Sequence, residues 1–342
     1  MTDASLLDRF VGCLVGGAVG DALGYPIEFD SYQTICHRFG PQGIQDYWLE
    51  ATGGTALFSD DTQMTLFTAE GLLKAGQGAT RAAYTESLHK AYLDWLRTQS
   101  GAYVEGEEGY TWLAQVPELY ALRAPGNTCL SALRSGKIGL MEEPLNNSKG
   151  CGGVMRVAPC GLFFEEPGEA AMVAAIAAAI THGHPMGYIP AAALAYLVNR
   201  CVLKESPALE QVVRSCIGQL PGWFASDAYH ADEMAALLDY ALELAHNDDP
   251  DHLNIRLLGE GWVGEEALAI AVYAAVRHEG DFTATVRAAV NHSGDVDSTG
   301  AIAGNICGAQ LGAAAIEERW TQPLELRDTI ERVARELYLS HQ

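Results

Sequence analysis

The sequence V-N-H-S-G-D-V-D-S-T-G-A-I-A-G, residues 290–304, passes from a polar turn into a run of small residues typical of a closely packed helix. It places three oxygen-bearing side chains, Asp295, Asp297 and Ser298, within four positions. Such oxygens suit a hard divalent cation such as Mg²⁺. They also suit a helix start, where Ser or Asp caps the first turn and acids favour the helix dipole. The stretch therefore predicts a helix start, and capping and metal binding both remain open.

A second acidic helix start lies much earlier in the chain, at Ser59, Asp60 and Asp61. Ser59 has the form of an N-cap, and apolar residues at helical spacing follow it. The simpler interpretation is that the two acids complement the helix dipole, which is worth roughly 0.3–1 kcal/mol for each charge. Because the chain holds two such acidic starts, a shared metal site becomes a strong alternative to capping.

The composition narrows the class of protein. The 342-residue chain has 44 acidic residues against 21 Lys and Arg, a net charge of −23, and 49% of its residues are hydrophobic. It lacks the basic footprint of a nucleic-acid binder, and its charge disfavours an anionic membrane. Gly and Ala are abundant, strand-type runs are scarce and no linker stands out, which predicts an all-α fold with one domain over residues 1–342.

The cysteines and the N-terminus bear on the cellular compartment. The eight cysteines include no Cys-x-x-Cys pair, which argues against a zinc site. The N-terminal sequence has no basic segment of the kind that opens a secretory signal. We therefore expect reduced, buried thiols in a cytoplasmic protein.

Periodicity predicts several helices and one long loop. A first helix is predicted over residues 5–23, although glycines interrupt it at a cost of up to about 1 kcal/mol each, so another helix or a ligand should approach closely there. Pro185 should end an Ala-rich helix over residues 169–180, and a new helix should begin at Ile189. Residues 101–144 predict an ordered loop with short helices, of the kind that lines a site.

Three turns hold further candidate residues. Gly152 and Gly153 belong to a glycine-rich turn whose backbone N–H groups can bind an anion such as phosphate, although the turn matches no known phosphate-loop motif. His182 lies on a turn without enough neighbouring ligands for a transition metal, so we expect it to form hydrogen bonds. Gly261 and Trp262 form a second glycine-rich turn.

Six short motifs follow one another along the chain. They are Gly20-Asp21-Ala22-Leu23-Gly24 with Glu28, Ser59-Asp60-Asp61-Thr62-Gln63-Met64, Gly150-Cys151-Gly152-Gly153-Val154-Met155-Arg156, Thr181-His182-Gly183-His184-Pro185, Gly261-Trp262-Val263-Gly264-Glu265-Glu266-Ala267 and Ser293-Gly294-Asp295-Val296-Asp297-Ser298-Thr299-Gly300. In this order the chain resembles the ADP-ribosylglycohydrolase family, including its ADP-ribosylarginine hydrolases and dinitrogenase-reductase-activating glycohydrolases. The resemblance implies a compact single-domain orthogonal helical bundle with two Mg²⁺, or Mn²⁺ in some members, at one end.

The resemblance also implies a ligand set and an activity. The implied metal ligands are Ser59, Asp60, Asp61, Asp295, Asp297 and Ser298. The family removes ADP-ribose from modified side chains, and the wording of two motifs is closer to members that hydrolyse N-glycosidic ADP-ribosyl-arginine. Asp61 is then the expected general base, with Asp60 mainly a ligand. Glu28 is the other candidate for acid–base or positioning work, although a solvated loop acid is the simpler interpretation of it.

The same resemblance gives binding roles to the three turns. Gly152 and Gly153 would hold the diphosphate through backbone N–H groups, with His182 near the diphosphate or the ribose. Gly261 and Trp262 would border the adenosine end. Lys149, Gly150 and Cys151 depart from any single family pattern, so the detailed diphosphate contacts do not carry over.

Several alternatives remain open. The chain could hydrolyse O-linked or other ADP-ribosyl compounds, bind ADP-ribose without catalysis, or be a different metal-dependent hydrolase such as a phosphoesterase. The expected partner is an ADP-ribosylated protein, and no nucleic-acid or membrane partner is expected. The activity could reverse a regulatory modification or give immunity against an ADP-ribosyltransferase toxin.

Overall fold

The described residues form sixteen α-helices, and the all-α prediction is confirmed. The computed structural model describes residues 3–203 and 208–341, and within them it has isolated bridges but no strand. The helices are α1 (Asp3–Gly24), α2 (Tyr32–Phe39), α3 (Asp60–Ala75), α4 (Arg81–Ser100), α5 (Asn127–Arg134), α6 (Ala158–Phe163), α7 (Pro167–Ala179), α8 (Pro185–Leu203), α9 (Leu209–Trp223), α10 (Ala228–Ala245), α11 (Asp251–Leu258), α12 (Gly264–Arg277), α13 (Phe282–Val290), α14 (Val296–Leu311), α15 (Glu318–Thr321) and α16 (Arg327–Leu339). One domain over the whole chain stays a prediction.

Helices α1 and α14 pack antiparallel through glycines spaced four residues apart. A Cβ atom added to Gly12 would lie 2.5 Å from the carbonyl oxygen of Gly308, and one added to Gly16 would lie 2.5 Å from that of Gly304. Only glycine allows two backbones to approach this closely. The glycines that interrupt α1 therefore face another helix. At the end of α1, Gly24 packs against the first residues of α14 and so fixes the two helix ends side by side.

The predicted start of α8 was wrong. The helix begins at Pro185 rather than at Ile189, and Pro190 lies inside it. Proline is well suited to the first turn of a helix because its fixed φ is helical and its missing N–H would have no partner there. Pro185 thus follows the end of α7 and opens α8, with a short turn between the two helices.

The two long apolar helices lie in the interior of the protein, which explains their composition. The segments Ser5–Ile27 and Pro185–Leu203 are long and apolar enough to cross a membrane by length and composition, but 89% of the tested window of each is buried inside the protein. A helix that is apolar on all sides is expected in the core of a large domain. All eight cysteines are unpaired, and six of them are buried.

The loop between α4 and α5 has the form that the sequence predicts. It contains the short 3₁₀ helices Trp112–Gln115 and Pro117–Leu119, and it continues into α5. At the end of this loop, residues 124–129 line a cavity at the ends of α1, α3 and α14. The fold thus gathers one loop and three helix termini at one place.

Candidate metal and active site

Carboxylates from three parts of the chain line this cavity, which has a volume of about 340 Å³. They belong to Glu28, Asp60, Asp61, Asp295 and Asp297, each no more than 8% exposed. One ligand oxygen each from Glu28, Asp295 and Asp297 lies within 4.8 Å of the other two. The two acidic helix starts therefore share one cavity, and Glu28 joins them from the turn after α1. The interpretation of Glu28 as a solvated loop acid was wrong.

These acids have little positive charge to compensate them. Among the described residues, no Lys or Arg lines the cavity. Burial, reinforced by Arg156, lowers the pKa of His182 to about 3, so its imidazole is neutral. Burial, together with the neighbouring carboxylates, raises the pKa of Glu28 to about 8. The same two causes raise the pKa values of Asp60, Asp61 and Asp297 well above their usual range.

The acids fit a hard divalent cation. In the part of the chain that the structure describes, Glu28 Oε2 and Asp61 Oδ2 are buried without a hydrogen-bond partner. Leaving a buried polar group unsatisfied costs roughly 1–3 kcal/mol, and more when the group is charged. Mg²⁺ and Mn²⁺ prefer carboxylate oxygens, so this donor set suits either ion, and a bound cation would offset the repulsion. The number and the identity of the ions stay predictions.

Asp21 of α1 holds the start of α3 in place. Its carboxylate accepts hydrogen bonds from Ser59 N at 2.8 Å, Thr62 N at 3.0 Å and Thr62 Oγ1 at 2.5 Å. Burial raises the pKa of Asp21 to about 6. Ser59 is fully buried and caps α3 by accepting from Asp61 N at 3.2 Å. The N-cap interpretation of Ser59 is thus confirmed, whereas its role as a metal ligand stays a prediction.

The two glycine-rich turns pair with each other beside the start of α14. Cys151 N donates to the carbonyl of Trp262 at 3.2 Å, and Gly264 N donates to the carbonyl of Lys149 at 2.8 Å. The thiol of Cys151 donates to Asp295 Oδ2 at 2.7 Å. The paired turns therefore form one wall of the cavity and contact a carboxylate inside it.

A profile of the ADP-ribosylglycohydrolase family matches residues 2–342. The chain belongs to the ADP-ribosylglycohydrolase family. Membership supports hydrolysis of ADP-ribose modifications as the class of activity, and it agrees with the acidic cavity just described.

Relatives of this chain cover nearly its full length at modest identity. An uncharacterized protein of Archaeoglobus fulgidus is 27% identical over 98% of this chain and 97% of its own. The uncharacterized protein YegU of Escherichia coli is 26% identical over 91% and 90%. The ADP-ribosyl-[dinitrogen reductase] glycohydrolase of Rhodospirillum rubrum is 26% identical over 98% and 96%. A solved structure, an ADP-ribosylglycohydrolase-related protein complex, superposes with a TM-score of 0.71 at 26% identity, covering 99% of this chain and all of that one.

Most of the candidate site residues predicted from the sequence line the cavity. They are Glu28, Asp60, Asp61, Gly152, His182, Trp262, Asp295, Asp297 and Ser298. Ser59, Gly153 and Gly261 lie behind the surface. Gly153 packs against the backbone of Gly187, and Gly261, with φ of +83°, packs against Thr299. Of the two adjacent glycines, Gly152 lines the cavity and Gly153 does not.

His182 lies directly under the first glycine-rich turn. Its Nδ1 is 2.8 Å from Thr181 Oγ1, and Arg156 donates to that same hydroxyl at 2.7 Å. A Cβ atom on Gly152 would come within 3.0 Å of His182 Cε1. The expectation that His182 forms hydrogen bonds is confirmed, and the absence of a side chain at Gly152 leaves room for its ring.

Residues that the sequence analysis missed also lie at the site. Cys151 contacts Asp295 from the turn, and Phe29 stacks on Trp262 with ring centroids 5.8 Å apart and planes 16° apart. Phe29 is 76% exposed. In the sequence, the available indication of Phe29 as a site residue was its position directly after Glu28, but only the fold brings it to Trp262.

Proposed function

We propose that this protein cleaves the N-glycosidic bond of ADP-ribosyl-arginine in modified proteins and depends on Mg²⁺ or Mn²⁺. The observation that carries the proposal is the group of five buried carboxylates, which no Lys or Arg of the described residues accompanies in the cavity. The relative from Rhodospirillum rubrum acts, by its name, on an ADP-ribosylated protein, which supports a protein substrate.

The carboxylates would have different roles at the site. Asp295, Asp297 and Glu28 would hold a cation, since their ligand atoms form the tight group, and Asp60 and Ser298, which line the same cavity, would add donors. Divalent cations bound here would supply Lewis-acid polarisation and a water of lowered pKa. Asp21 and Cys151 act indirectly, because they position the start of α3 and the carboxylate of Asp295.

Asp61 would accept the proton of the attacking water. Its Oδ2 is buried, has no hydrogen-bond partner among the described residues and belongs to a residue that lines the cavity. The water oxygen bonds to ribose C1″ while the bond from C1″ to the guanidine nitrogen breaks, through an oxocarbenium-like state. The proton that Asp61 takes then passes to the departing guanidine, which leaves as guanidinium.

The remaining wall would bind the rest of ADP-ribose. The glycine-rich turn at Gly152 offers backbone N–H groups to the diphosphate. His182, neutral at pH 7, can form a hydrogen bond with the diphosphate or the ribose, and Trp262 offers an aromatic surface at the adenosine end. Gly153 would support the turn from behind.

The test compares substrates that differ only in the linkage. The protein is incubated with arginine-, serine- and polymer-linked ADP-ribose, in Mg²⁺ or in EDTA, and free ADP-ribose and phosphate are measured. We expect free ADP-ribose from the arginine linkage in Mg²⁺ and none in EDTA. Release from serine alone would contradict the arginine linkage, and release of phosphate would indicate a phosphoesterase. The reversal of a regulatory modification and immunity against a toxin use this same chemistry.

A further inference from the structure

A second cavity adjoins the carboxylate site, and the reaction proposed above does not use it. It has a volume of about 350 Å³ and is lined mainly by aromatic and aliphatic side chains, including Tyr25 and Trp48. We call it the aromatic pocket. Glu28, Phe29 and Ala124 line both cavities, so the two cavities adjoin at Glu28. Ala124 holds a φ of +53°, and such backbone strain in a non-glycine residue is often found at functional sites.

The charge of the aromatic pocket suits a cation. Glu28 is the one charged residue that lines it within the described parts of the chain. Arg123, which precedes Ala124, forms an ion pair with Glu325 at 2.9 Å, so its charge is already compensated. The pocket therefore has an acidic end at the reacting centre and apolar walls beyond it, the arrangement expected for a small ligand with one polar group.

The walls suit a planar cation in particular. Trp48 already stacks on the guanidinium of Arg38, whose central carbon lies 4.7 Å from the Trp48 ring centroid. Guanidinium groups stack on aromatic rings more readily than ammonium groups because they are planar and weakly hydrated. Leu49 and Leu57 add apolar surface for an aliphatic chain.

We propose that the aromatic pocket is the subsite for the leaving side chain of the substrate. The C1″ atom must lie at the carboxylates, and ADP-ribose takes the cavity that His182 and Trp262 line. The aromatic pocket then offers the aglycone a space that shares Glu28 with that cavity. The arginine guanidinium lies between Glu28 and the Trp48 ring, and its aliphatic chain runs along Leu49 and Leu57. This inference rests on the proposed hydrolysis of ADP-ribosyl-arginine and names the part of the protein that recognises arginine.

The first experiment measures binding rather than turnover. Propylguanidine, butylamine and adenosine are titrated into the full chain by calorimetry, with Mg²⁺ and ADP-ribose present for the first two. We expect propylguanidine to bind more tightly than butylamine, and Trp48→Ala to weaken propylguanidine binding roughly threefold to tenfold. Trp48→Phe should restore most of the affinity. Tyr240→Ala, at an aromatic residue on α10 of similar exposure (37% against 39% for Trp48), should leave it unchanged.

The outcomes separate the pocket from its rivals. Equal affinity for propylguanidine in wild type and Trp48→Ala would overturn the proposal. A loss confined to adenosine would also overturn it, because the pocket would then hold the base. If Trp48→Phe and Trp48→Ala lose affinity equally, stacking is not the source of recognition and the proposal fails.

Kinetics separate failure of the pocket from failure of the proposed function. With ADP-ribosyl-arginine, Trp48→Ala should raise KM roughly threefold to tenfold and leave kcat within about twofold, as expected when uniform binding energy is lost. Turnover with an unchanged KM in Trp48→Ala would overturn the pocket alone. If the wild type releases no ADP-ribose from ADP-ribosyl-arginine but propylguanidine binding still depends on Trp48, the proposed reaction fails and the guanidinium subsite stands.

Discussion

Two regions of the molecule hold carboxylates in opposite ways: the acidic cavity, where they are buried, and the corner where α11 meets α12, where the side chain of Asp251 is 31% exposed. In the corner, Asp251 accepts a hydrogen bond from Tyr273 Oη at 2.7 Å, and its other oxygen lies 3.0 Å from His278 Nε2. Burial alone would raise the pKa of Asp251, but these hydrogen bonds outweigh it and lower the pKa. In the cavity, Glu28 and Asp61 each keep an oxygen without a partner among the described residues, and their pKa values are raised.

The difference separates structural acids from functional ones. A buried carboxylate with hydrogen-bond donors and a positive neighbour holds its element in place. Buried carboxylates that repel each other without such partners destabilise the protein that carries them. A fold retains them where something absent from the chain completes their coordination, and for this cavity we propose a divalent cation. Four predictions test this contrast.

The largest effect is expected on turnover. Replacing both Asp60 and Asp61 with Ala should lower the release of ADP-ribose from ADP-ribosyl-arginine by roughly 10³-fold or more, because it removes the proposed base together with a proposed ligand. Circular dichroism should show an unchanged helix content. Asp248→Ala/Asp249→Ala, at another adjacent Asp pair that is exposed, serves as the matched control and should leave turnover intact. Retained turnover in the first variant would mean that these acids do not carry the reaction.

Cation binding should stabilise the protein through the cavity and not through the corner. At free Mg²⁺ or Mn²⁺ about a thousandfold above Kd, the free energy of unfolding should rise by about 4 kcal/mol. Asp295→Asn/Asp297→Asn should abolish this rise, and Asp251→Asn should leave it. Thermal unfolding in EDTA and in each cation measures the effect. A rise of equal size in all three proteins would locate the binding site elsewhere.

Much of the fold could be predicted from the sequence, because helix formation depends on nearby residues. Apolar spacing predicts α1, and the unusual glycines in it predict a close neighbour. The identity of that neighbour depends on a contact between distant segments, Gly12 with Gly308 and Gly16 with Gly304. The matching four-residue spacing of glycines in α14 was the available indication. The start of α8 was misplaced because Pro185 can either follow one helix or open the next.

The sequence could predict which residues have suitable chemistry for the site, but not how the fold arranges them. Oxygen-rich helix starts give Asp61 and Asp295 as candidates whatever the fold. The burial of Glu28 depends on how the turn after α1 meets α14, which no local pattern specifies. The contact between Cys151 and Asp295 and the stacking of Phe29 on Trp262 likewise need the pairing of distant turns.

Removing the corner carboxylate should cost stability without touching catalysis. Asp251→Ala should lower the free energy of unfolding by about 3 kcal/mol, since it removes two hydrogen bonds to a charged group and leaves the Tyr273 hydroxyl without its acceptor. Asp251→Asn keeps one acceptor, so its free energy of unfolding should fall by less. Denaturant unfolding and turnover are measured on the same preparations.

The matched change in the cavity should act in the opposite direction. Asp61→Asn, measured in EDTA, should leave stability equal or higher, because it removes a charge that has no partner. If Asp61→Asn destabilised the metal-free protein as strongly as Asp251→Ala does, the contrast between the two regions would be contradicted.

The smallest effect concerns Glu70 on α3, a buried acid with a single donor. Trp112 Nε1 donates to it at 2.8 Å, while burial, reinforced by Glu336, raises its pKa to about 7. From the usual value up to about 7, the folded state binds more protons at this site than the unfolded state does, so stability falls as pH rises. Glu70→Gln keeps an acceptor for the Trp112 N–H without taking on a charge.

Between about pH 5 and pH 8, the free energy of unfolding should therefore fall by about 2 kcal/mol less in Glu70→Gln than in the wild type. Unfolding is followed in Mg²⁺, so that the cavity acids contribute equally to both proteins and cancel in the difference. Glu118→Gln, at an exposed acid, should follow the wild-type curve. If the curves of unfolding free energy against pH were the same for Glu70→Gln and the wild type, one hydrogen-bond donor would be enough to offset the unfavourable burial of a carboxylate. In that case the missing partners of Glu28 and Asp61 would no longer distinguish a cation site from an ordinary buried acid.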